Sequence, residues 1–404
     1  RILTKQKDPV AEQRLSENRD AAAQLKQDFA NRDCYDVLIT TGAICDDHGT
    51  GIFVKRIFTA HDGLVSIRSR DLYASHDNIA VANFVLHDRF QSYKVIESHV
   101  EQWLAGAPIR SIICIPYINA DLALAEAAHR LTGAPVCHYV MDDSNIYARE
   151  ISDSMWHRAC QLPGIRLAIS NEMAKAYSTK YKVPFWVVPP LVSPDLILDR
   201  ARTPAWNGHA PNGILIGNIW DRLWLRDLMR VLDDADIMVD WYYSTGAWQH
   251  LNIDPNDISD SHLQIKECAD GSGLVDLDVV REAPFVLVPT SRGNHRIGRL
   301  SLPSRTTFGA ACANTPIIVL GSEDNAVSQF VLHNDIGRVV PYNGAELRNA
   351  VESVLQKGEQ MRLRRNAASI ARSLSAEGLA DWLVNSTCKG RPADDRYRRP
   401  LKAA

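Results

Sequence analysis

Twice along this chain, short apolar runs of about five residues alternate with helical stretches, and one proline-rich segment separates the two series. That rhythm constrains the fold more than anything else in the sequence. Runs such as YDVLITT (35–41) and PIIVL (316–320) show no strict polar–apolar alternation, so both faces of each must be covered. A strand, a crossing helix and another such strand form the unit of a parallel sheet with helices on both sides. The first series predicts strands at 35–41, 64–69, 111–116, 135–141, 165–169 and 185–189. Its helices fall at 50–60, 94–105, 119–132, 147–161 and 171–181, after a polar helix over 10–32. The second series predicts strands at 213–217, 237–241, 262–266, 284–289, 316–320 and 337–340. Its helices fall at 221–234, 275–282, 304–313, 324–333, 344–356 and 359–373. Residues 70–95 and 244–260 carry no readable motif.

The segment VVPPLVSPDLILDRARTPAWNGHAPNG (187–213) holds five prolines and two glycines and reads as the linker. A chain of 404 residues exceeds one ordinary core. The expected architecture is therefore α/β, with two doubly wound Rossmann-like domains, residues 1–195 and 196–375, facing each other across a cleft. A last helix near 376–386 crosses back to the first domain, and 387–404 form a basic tail with six Lys/Arg against two Asp. Ligands of such sheets bind outside the carboxyl ends of the strands. The loops after 35–41, 135–141, 213–217 and 284–289 should line the cleft.

A formal charge of −3 argues against nucleic acid as a partner. The eight cysteines lie far apart without a C-x-x-C, several of them inside apolar runs, which reads as buried free thiols in a reducing compartment, the cytoplasm. No signal peptide and no apolar run of membrane-spanning length is legible.

Four stretches carry chemistry. In TTGAICDDHGTGIFVKRIF (40–58), His48, Gly49, Thr50 and Gly51 join a strand to a helix. Glycine permits close approach of the backbone, the helix start offers free N–H groups to an anion, and Thr50 could cap the helix. The spacing is not that of a dinucleotide fingerprint. In GAPVCHYVMDDSN (133–145), a buried strand ends in Asp142 and Asp143. One of them could orient a hydroxyl or take its proton, or cap the next helix instead; His138, mid-strand, reads as a core histidine. In GILIGNIWDRLWLRDLMRVL (213–232), Arg222 lies close enough to the strand end to reach a diphosphate, and Trp220 and Trp224 read as packing. In PTSRGNHRIGRLSLPSRTTFGAACANTP (289–316), Arg292, Arg296, Arg299 and Arg305 fall within fourteen residues, with His295 among them. Arginine forms forked bonds to phosphate oxygens and stays charged. The helix that follows Pro303 would add roughly 0.3–1 kcal/mol for an anion at its start.

These segments resemble the two-Rossmann (GT-B) glycosyltransferases of the group 1 / family 4 type. The likeness runs in order through HGTGIFVKRIF, LTGAPVCHYVMDD, LAISNEMAKAYSTKYKVPFWVVPP, ILIGNIW and SLPSRTTFGAACANTPIIVLGSEDNAVSQFVLHNDIGRVVPY, about residues 35–375. The resemblance implies transfer of a hexose or deoxyhexose from a nucleoside-diphosphate sugar to a hydroxyl of a glycan, lipid or protein. It also implies retention of configuration and no metal or cofactor. A lipid-linked acceptor would bring the chain to a membrane surface. Carried over by residue, Gly49, Thr50 and Gly51 face the donor diphosphate and acceptor. Leu302 to Thr306, with Ser304 among them, surround the diphosphate, and Arg305 binds it. Met141-Asp142 matches a pair near the reacting centre that is often His-Asp in the family. From the residues themselves, Asp143 and His48 are further catalytic candidates, and Arg222, Arg299 and Ser301 join the donor side. Two donor-binding glutamates with seven residues between them are common in the family; here those positions read Ser301 and Gly309. Asn314 replaces a helix-ending glycine, and Asn218 stands where arginine is common. A non-catalytic binding subunit on the same fold is the rival reading, and Gly309 is the feature that favours it.

Overall fold

The computed structural model describes residues 9–45, 48–72, 79–86, 92–206, 210–219, 221–243, 258, 262–266, 276–290 and 296–397. Two wholly parallel sheets organise them. The first has seven strands, β1 (Tyr35–Thr40), β2 (Leu64–Arg68), β3 (Ala82–Val85), β4 (Ile109–Cys114), β5 (Val136–Val140), β6 (Gly164–Ala168) and β7 (Trp186–Val187), in the order β3-β2-β1-β4-β5-β6-β7. The second has six, β8 (Gly213–Ile216), β9 (Val239–Tyr242), β10 (Leu263–Lys266), β11 (Val286–Pro289), β12 (Ile317–Leu320) and β13 (Gly337–Val340), in the order β10-β9-β8-β11-β12-β13. Each order reverses beside its first strand, which places a switch point between β1 and β4 and another between β8 and β11.

The helices are α1 (Pro9–Asp28), α2 (Gly49–Phe58), α3 (Tyr93–Leu104), α4 (Asn119–Thr132), α5 (Asp153–Gln161), α6 (Asn171–Tyr181), α7 (Arg222–Ala235), α8 (Leu277–Glu282), α9 (Ser304–Phe308), α10 (Ala326–His333), α11 (Gly344–Leu355), α12 (Lys357–Ala371) and α13 (Leu379–Lys389). β1 and β12 are buried along their whole length, as strands covered on both faces must be. Local capping sets several helix ends. Ser170 Oγ accepts the Met173 N–H at the start of α6, and Gly133 closes α4 at φ +73°. One core runs from the first sheet through Leu191 and Val192 to one face of the second sheet. The other face of the second sheet packs around Trp241, Leu228 and Phe285. The seven described cysteines are all free, and five of them are buried.

Three elements differ from the sequence reading. β3 lies within the stretch that carried no motif. It is an edge strand, and α1 secures it with one side chain: Asn18 Nδ2 donates to Val85 O and Asn18 Oδ1 accepts from Val85 N, both at 2.9 Å. α5 starts at Asp153 rather than near 147, because Asp143 holds the preceding residues in a turn. The predicted helix 304–313 is α-helical only to Phe308 and continues as one π turn, Gly309–Ala313.

The chain passes between the sheets twice at one place. Val192 N–H donates to Leu374 O at 2.9 Å, and Ala376 N–H donates to Val192 O at 2.8 Å. After this second passage α13 packs on β4 and β6 of the first sheet.

Candidate functional site

A cavity of about 800 Å3 lies between the carboxyl ends of the two sheets. Its first-half wall starts at the loop after β1. Thr40 Oγ1 donates to Gly42 O at 2.8 Å and tightens the turn. His48, not Thr50, caps α2: Nδ1 accepts the Gly51 N–H at 3.3 Å while Nε2 donates to Ala43 O at 2.7 Å. Both ring nitrogens are thus engaged in holding the loop, and His48 lines the cavity as a neutral clamp. Gly51 must be glycine, since a Cβ there would stand 2.2 Å from Cys45 O. A Cβ on Gly49 would stand 4.0 Å from Ser304 Oγ, so the start of α2 faces the start of α9 across the cavity.

The two adjacent aspartates have separate fates. Asp143 is buried, and its carboxylate accepts N–H groups from Asn145, Ile146, Tyr147 and Ala148 at 2.7–3.4 Å and the Tyr177 hydroxyl at 3.1 Å. It is absent from the cavity wall and shapes the turn after β5, so the catalytic expectation for Asp143 is corrected. Asp142 turns an accessible face to the cavity. Ser301, from the opposite half, donates its hydroxyl to Asp142 Oδ1 at 3.1 Å, and the Tyr117 hydroxyl donates to the same carboxylate. Thr50 Oγ1 lies 2.6 Å from the Tyr117 hydroxyl, so a hydrogen-bonded chain runs Thr50, Tyr117, Asp142, with Ser301 joining from across the cleft. Desolvation raises the Asp142 pKa to about 6, opposed by the Ser301 and Tyr117 hydrogen bonds and assisted by the charge of Asp143. The accessible face of the side chain limits that penalty. Burial holds the Tyr117 hydroxyl protonated, well above its ordinary range.

On the second-half wall Arg305 lies in the first turn of α9. Its Nη2 donates to Asn218 O at 2.9 Å, a carbonyl presented by the turn at Gly217, where φ is +82°. Its Nη1 is shielded and has no partner, and no carboxylate pairs with it among the described residues. Desolvation alone lowers its pKa to about 10. Such a cation is short of an anion. Ser301, Leu302 and Ser304 line the cavity beside it. Thr306 is buried away from the cavity, its hydroxyl without a partner.

Two arginines expected on the donor side lie elsewhere. Arg222 is exposed at the start of α7 and off the cavity wall; the group that lines the cavity there is Asp221, which caps the Trp224 N–H at 2.8 Å. Arg299 pairs with Asp324 outside the cavity. Arg292, His295 and Trp220 lie outside the described residues, as does the Arg296 side chain. Trp224 lines the cavity, and its indole N–H donates to the Tyr342 hydroxyl at 2.8 Å. His138 is a core histidine with Nε2 unpartnered, its pKa lowered to about 3 by burial.

The reading of Gly309 also changes. A Cβ at Gly309 would meet Val286 Cγ2 at 3.0 Å and Ile317 Cδ1 at 3.1 Å, so the position faces the sheet, not the cavity. The preceding residue, Phe308, lines the cavity, so an aromatic ring rather than a carboxylate meets the cavity here. Tyr117, Arg56, Arg70 and Phe308 were not singled out from the sequence. Tyr117 sits on the loop after β4, a carboxyl-end position that the topology alone could have flagged.

Among the described residues, no three His, Cys, Asp or Glu side chains converge as metal ligands, and no helix is long and apolar enough to cross a membrane.

No protein-family model matches the chain, and no curated protein matches it. Solved structures do. HepE of Anabaena, determined with UDP and glucose, superposes with a TM-score of 0.60 at 12% identity, covering 86% of this chain and 97% of that one. A glycosyltransferase from Rickettsia africae gives 0.57 at 12% identity, covering 92% and 100%. AviGT4, a glycosyltransferase of avilamycin A biosynthesis, gives 0.53 at 13% identity, covering 91% and 98%. Two parallel sheets of Rossmann order around one cavity, with these neighbours, establish that the chain has the GT-B fold of glycosyltransferases.

Proposed function

We propose that the protein is a glycosyltransferase that moves a sugar from a nucleoside-diphosphate donor to a hydroxyl acceptor, retaining the anomeric configuration and needing no metal. The observation that carries the reading is the pairing of Arg305, a shielded cation without a counter-ion, with Asp142 on the facing wall of one cavity. HepE was solved with UDP-glucose, which supports a nucleotide-sugar donor here. Arg305 would hold the diphosphate, where negative charge grows as the bond from the anomeric carbon to the phosphate oxygen breaks. The acceptor oxygen forms the new bond to that carbon on the face from which the phosphate departs; Asp142 orients the acceptor hydroxyl, and its proton passes to the departing phosphate oxygen. Tyr117 and Ser301 hold the carboxylate in place. The acceptor is a glycan, a lipid-linked sugar or a protein. The free thiols suit the cytoplasm, and a lipid-linked acceptor would draw the enzyme to a membrane surface.

Thermal-shift titration against UDP-, GDP-, ADP- and dTDP-sugars tests this. A ligand at a hundred times its dissociation constant stabilises by about 2.7 kcal/mol. One nucleotide should raise the melting temperature, and Arg305→Ala should abolish the rise. No response to any donor from folded protein would sink the reading. Phe308 favours a second reading, a non-catalytic binding subunit, because it offers a donor ribose no hydrogen-bond acceptor. Donor binding without a glycoside product from any acceptor would select it.

A further inference from the structure

The cavity holds a second arginine without a counter-ion among the described residues, on the opposite half from Arg305. Arg70 follows β2, where its own chain runs beside the loop after β1: Ser69 N–H donates to Thr40 O at 3.0 Å, Arg70 N–H to Thr41 O at 2.9 Å, and Ala43 N–H to Leu72 O at 3.1 Å. This fixes the backbone of Arg70 at the carboxyl end of the first sheet. The side chain lines the cavity, and its Nε is shielded from solvent with no hydrogen-bond partner. Among the described residues, the acids that could neutralise it are engaged elsewhere or do not pair with it. Asp71, its neighbour, bonds Arg14 of α1 at 2.7 Å. Asp142 is held by Ser301 and Tyr117. Asp221 caps α7. Glu150 lines the cavity and forms no ion pair with Arg70. Ala43, Ile44, Leu72 and Ile118 give the same cavity apolar lining.

A shielded guanidinium Nε without a partner is costly unless something binds it. Arg305 lines the second-half wall of the cavity and Arg70, after β2, the first-half wall. We infer that Arg70 forms an oxyanion subsite on the first half of the cavity, for an acceptor that joins a carboxylate or phosphate to an apolar body. The assignment of this ligand as acceptor rests on the transferase reading; the anion subsite itself does not. The planar guanidinium suits either oxyanion by paired N–H bonds. The apolar lining of the cavity strengthens that contact.

The test compares three fluorescent probes with one aromatic body: 4-methylumbelliferyl glucuronide, carrying a carboxylate; 4-methylumbelliferyl phosphate; and 4-methylumbelliferyl glucoside, which is neutral. Equilibrium binding is measured without nucleotide on the wild-type protein and on Arg70→Gln, Arg70→Lys and Arg305→Gln. At least one anionic probe should bind tenfold or more tightly than the glucoside. That preference should vanish in Arg70→Gln, survive in part in Arg70→Lys and persist in Arg305→Gln. Whether the carboxylate or the phosphate probe carries it decides the class of oxyanion. Equal binding of charged and neutral probes overturns the inference. So does a preference that survives Arg70→Gln or disappears only in Arg305→Gln. Nucleoside-diphosphate binding, followed on the same variants, should fail in Arg305→Gln alone, so the donor reading and this subsite can fail independently.

Discussion

Arg305, in the first turn of α9, and Arg364, which α12 lays against the other end of the same helical segment, share an environment on paper. Burial lowers the pKa of each to about 10, and neither has a carboxylate bonded to it. Their surroundings differ in what is offered to the guanidinium. Arg364 reaches the carbonyls of Ala283 at 2.8 Å and Ala313 at 3.4 Å, so it closes the carboxyl end of the π turn and ties it to the loop before β11. Arg305 has one carbonyl, from Asn218, and a shielded Nη1 turned to a cavity. Each keeps one shielded nitrogen without a partner, Nε in Arg364 and Nη1 in Arg305. An arginine whose two Nη groups both reach backbone carbonyls is structural, and one that lines a cavity with a single Nη bonded is a binding group. Burial and pKa alone do not separate the two; the count of acceptors does.

The comparison can be broken in four ways, beginning with the segment between the two arginines. Gly309→Glu should yield no folded protein, because the side chain would drive an unpaired carboxylate between Val286 and Ile317. Phe308→Glu, one residue earlier, should fold normally because it opens onto the cavity; circular dichroism of the pair checks the register of the π turn. Arg364→Ala should cost about 3 kcal/mol by leaving two buried carbonyls and a void, seen as a lower melting temperature in the absence of any ligand. Arg305→Ala should leave the melting temperature of the free protein unchanged or slightly higher. It should weaken nucleoside-diphosphate binding by about tenfold to a hundredfold in calorimetric titration. If both arginine variants lose stability alike, the distinction fails.

The smallest effect concerns the facing wall. The Asp142 pKa in the folded protein, about 6, lies above its ordinary value of 3.8. The folded state therefore keeps a proton that the unfolded state has released, and stability falls as pH rises through that window. Asp142→Asn should flatten the profile of melting temperature between about pH 4 and 6, and transfer in the wild type should decline below about pH 6 as the carboxylate protonates. An unchanged profile would mean that the carboxylate is ionised throughout.

The alternation of short apolar runs and helices carried twelve of the thirteen described strands, because strands covered on both faces advertise themselves by composition. The exception, β3, is an edge strand fastened by Asn18, a contact across sixty-seven residues that no local pattern records. Site residues were legible where one side chain has one job at a strand end, as at Arg305 and Asp142. They were not where two neighbours compete for it. Nothing in the sequence says that Asp143 rather than Asp142 folds back on four N–H groups. The same holds for Gly309, since nothing in the local sequence says that it packs on Val286 and Ile317 while Phe308 lines the cavity. Arg70 was hidden for another reason: Asp71 beside it suggests a neutral pair, and only the fold sends that acid to Arg14.

The double passage of the chain at Val192 leads to a final consequence. One residue there bonds both Leu374 and Ala376, so the two connections between the halves share a single point of attachment. Sliding one half past the other would stretch both bonds together, whereas swinging about Val192 leaves them intact. A swing of that kind would be read at the Ser301–Asp142 hydrogen bond, which joins the two halves across the cavity, and would set the reach between Arg305 and Asp142.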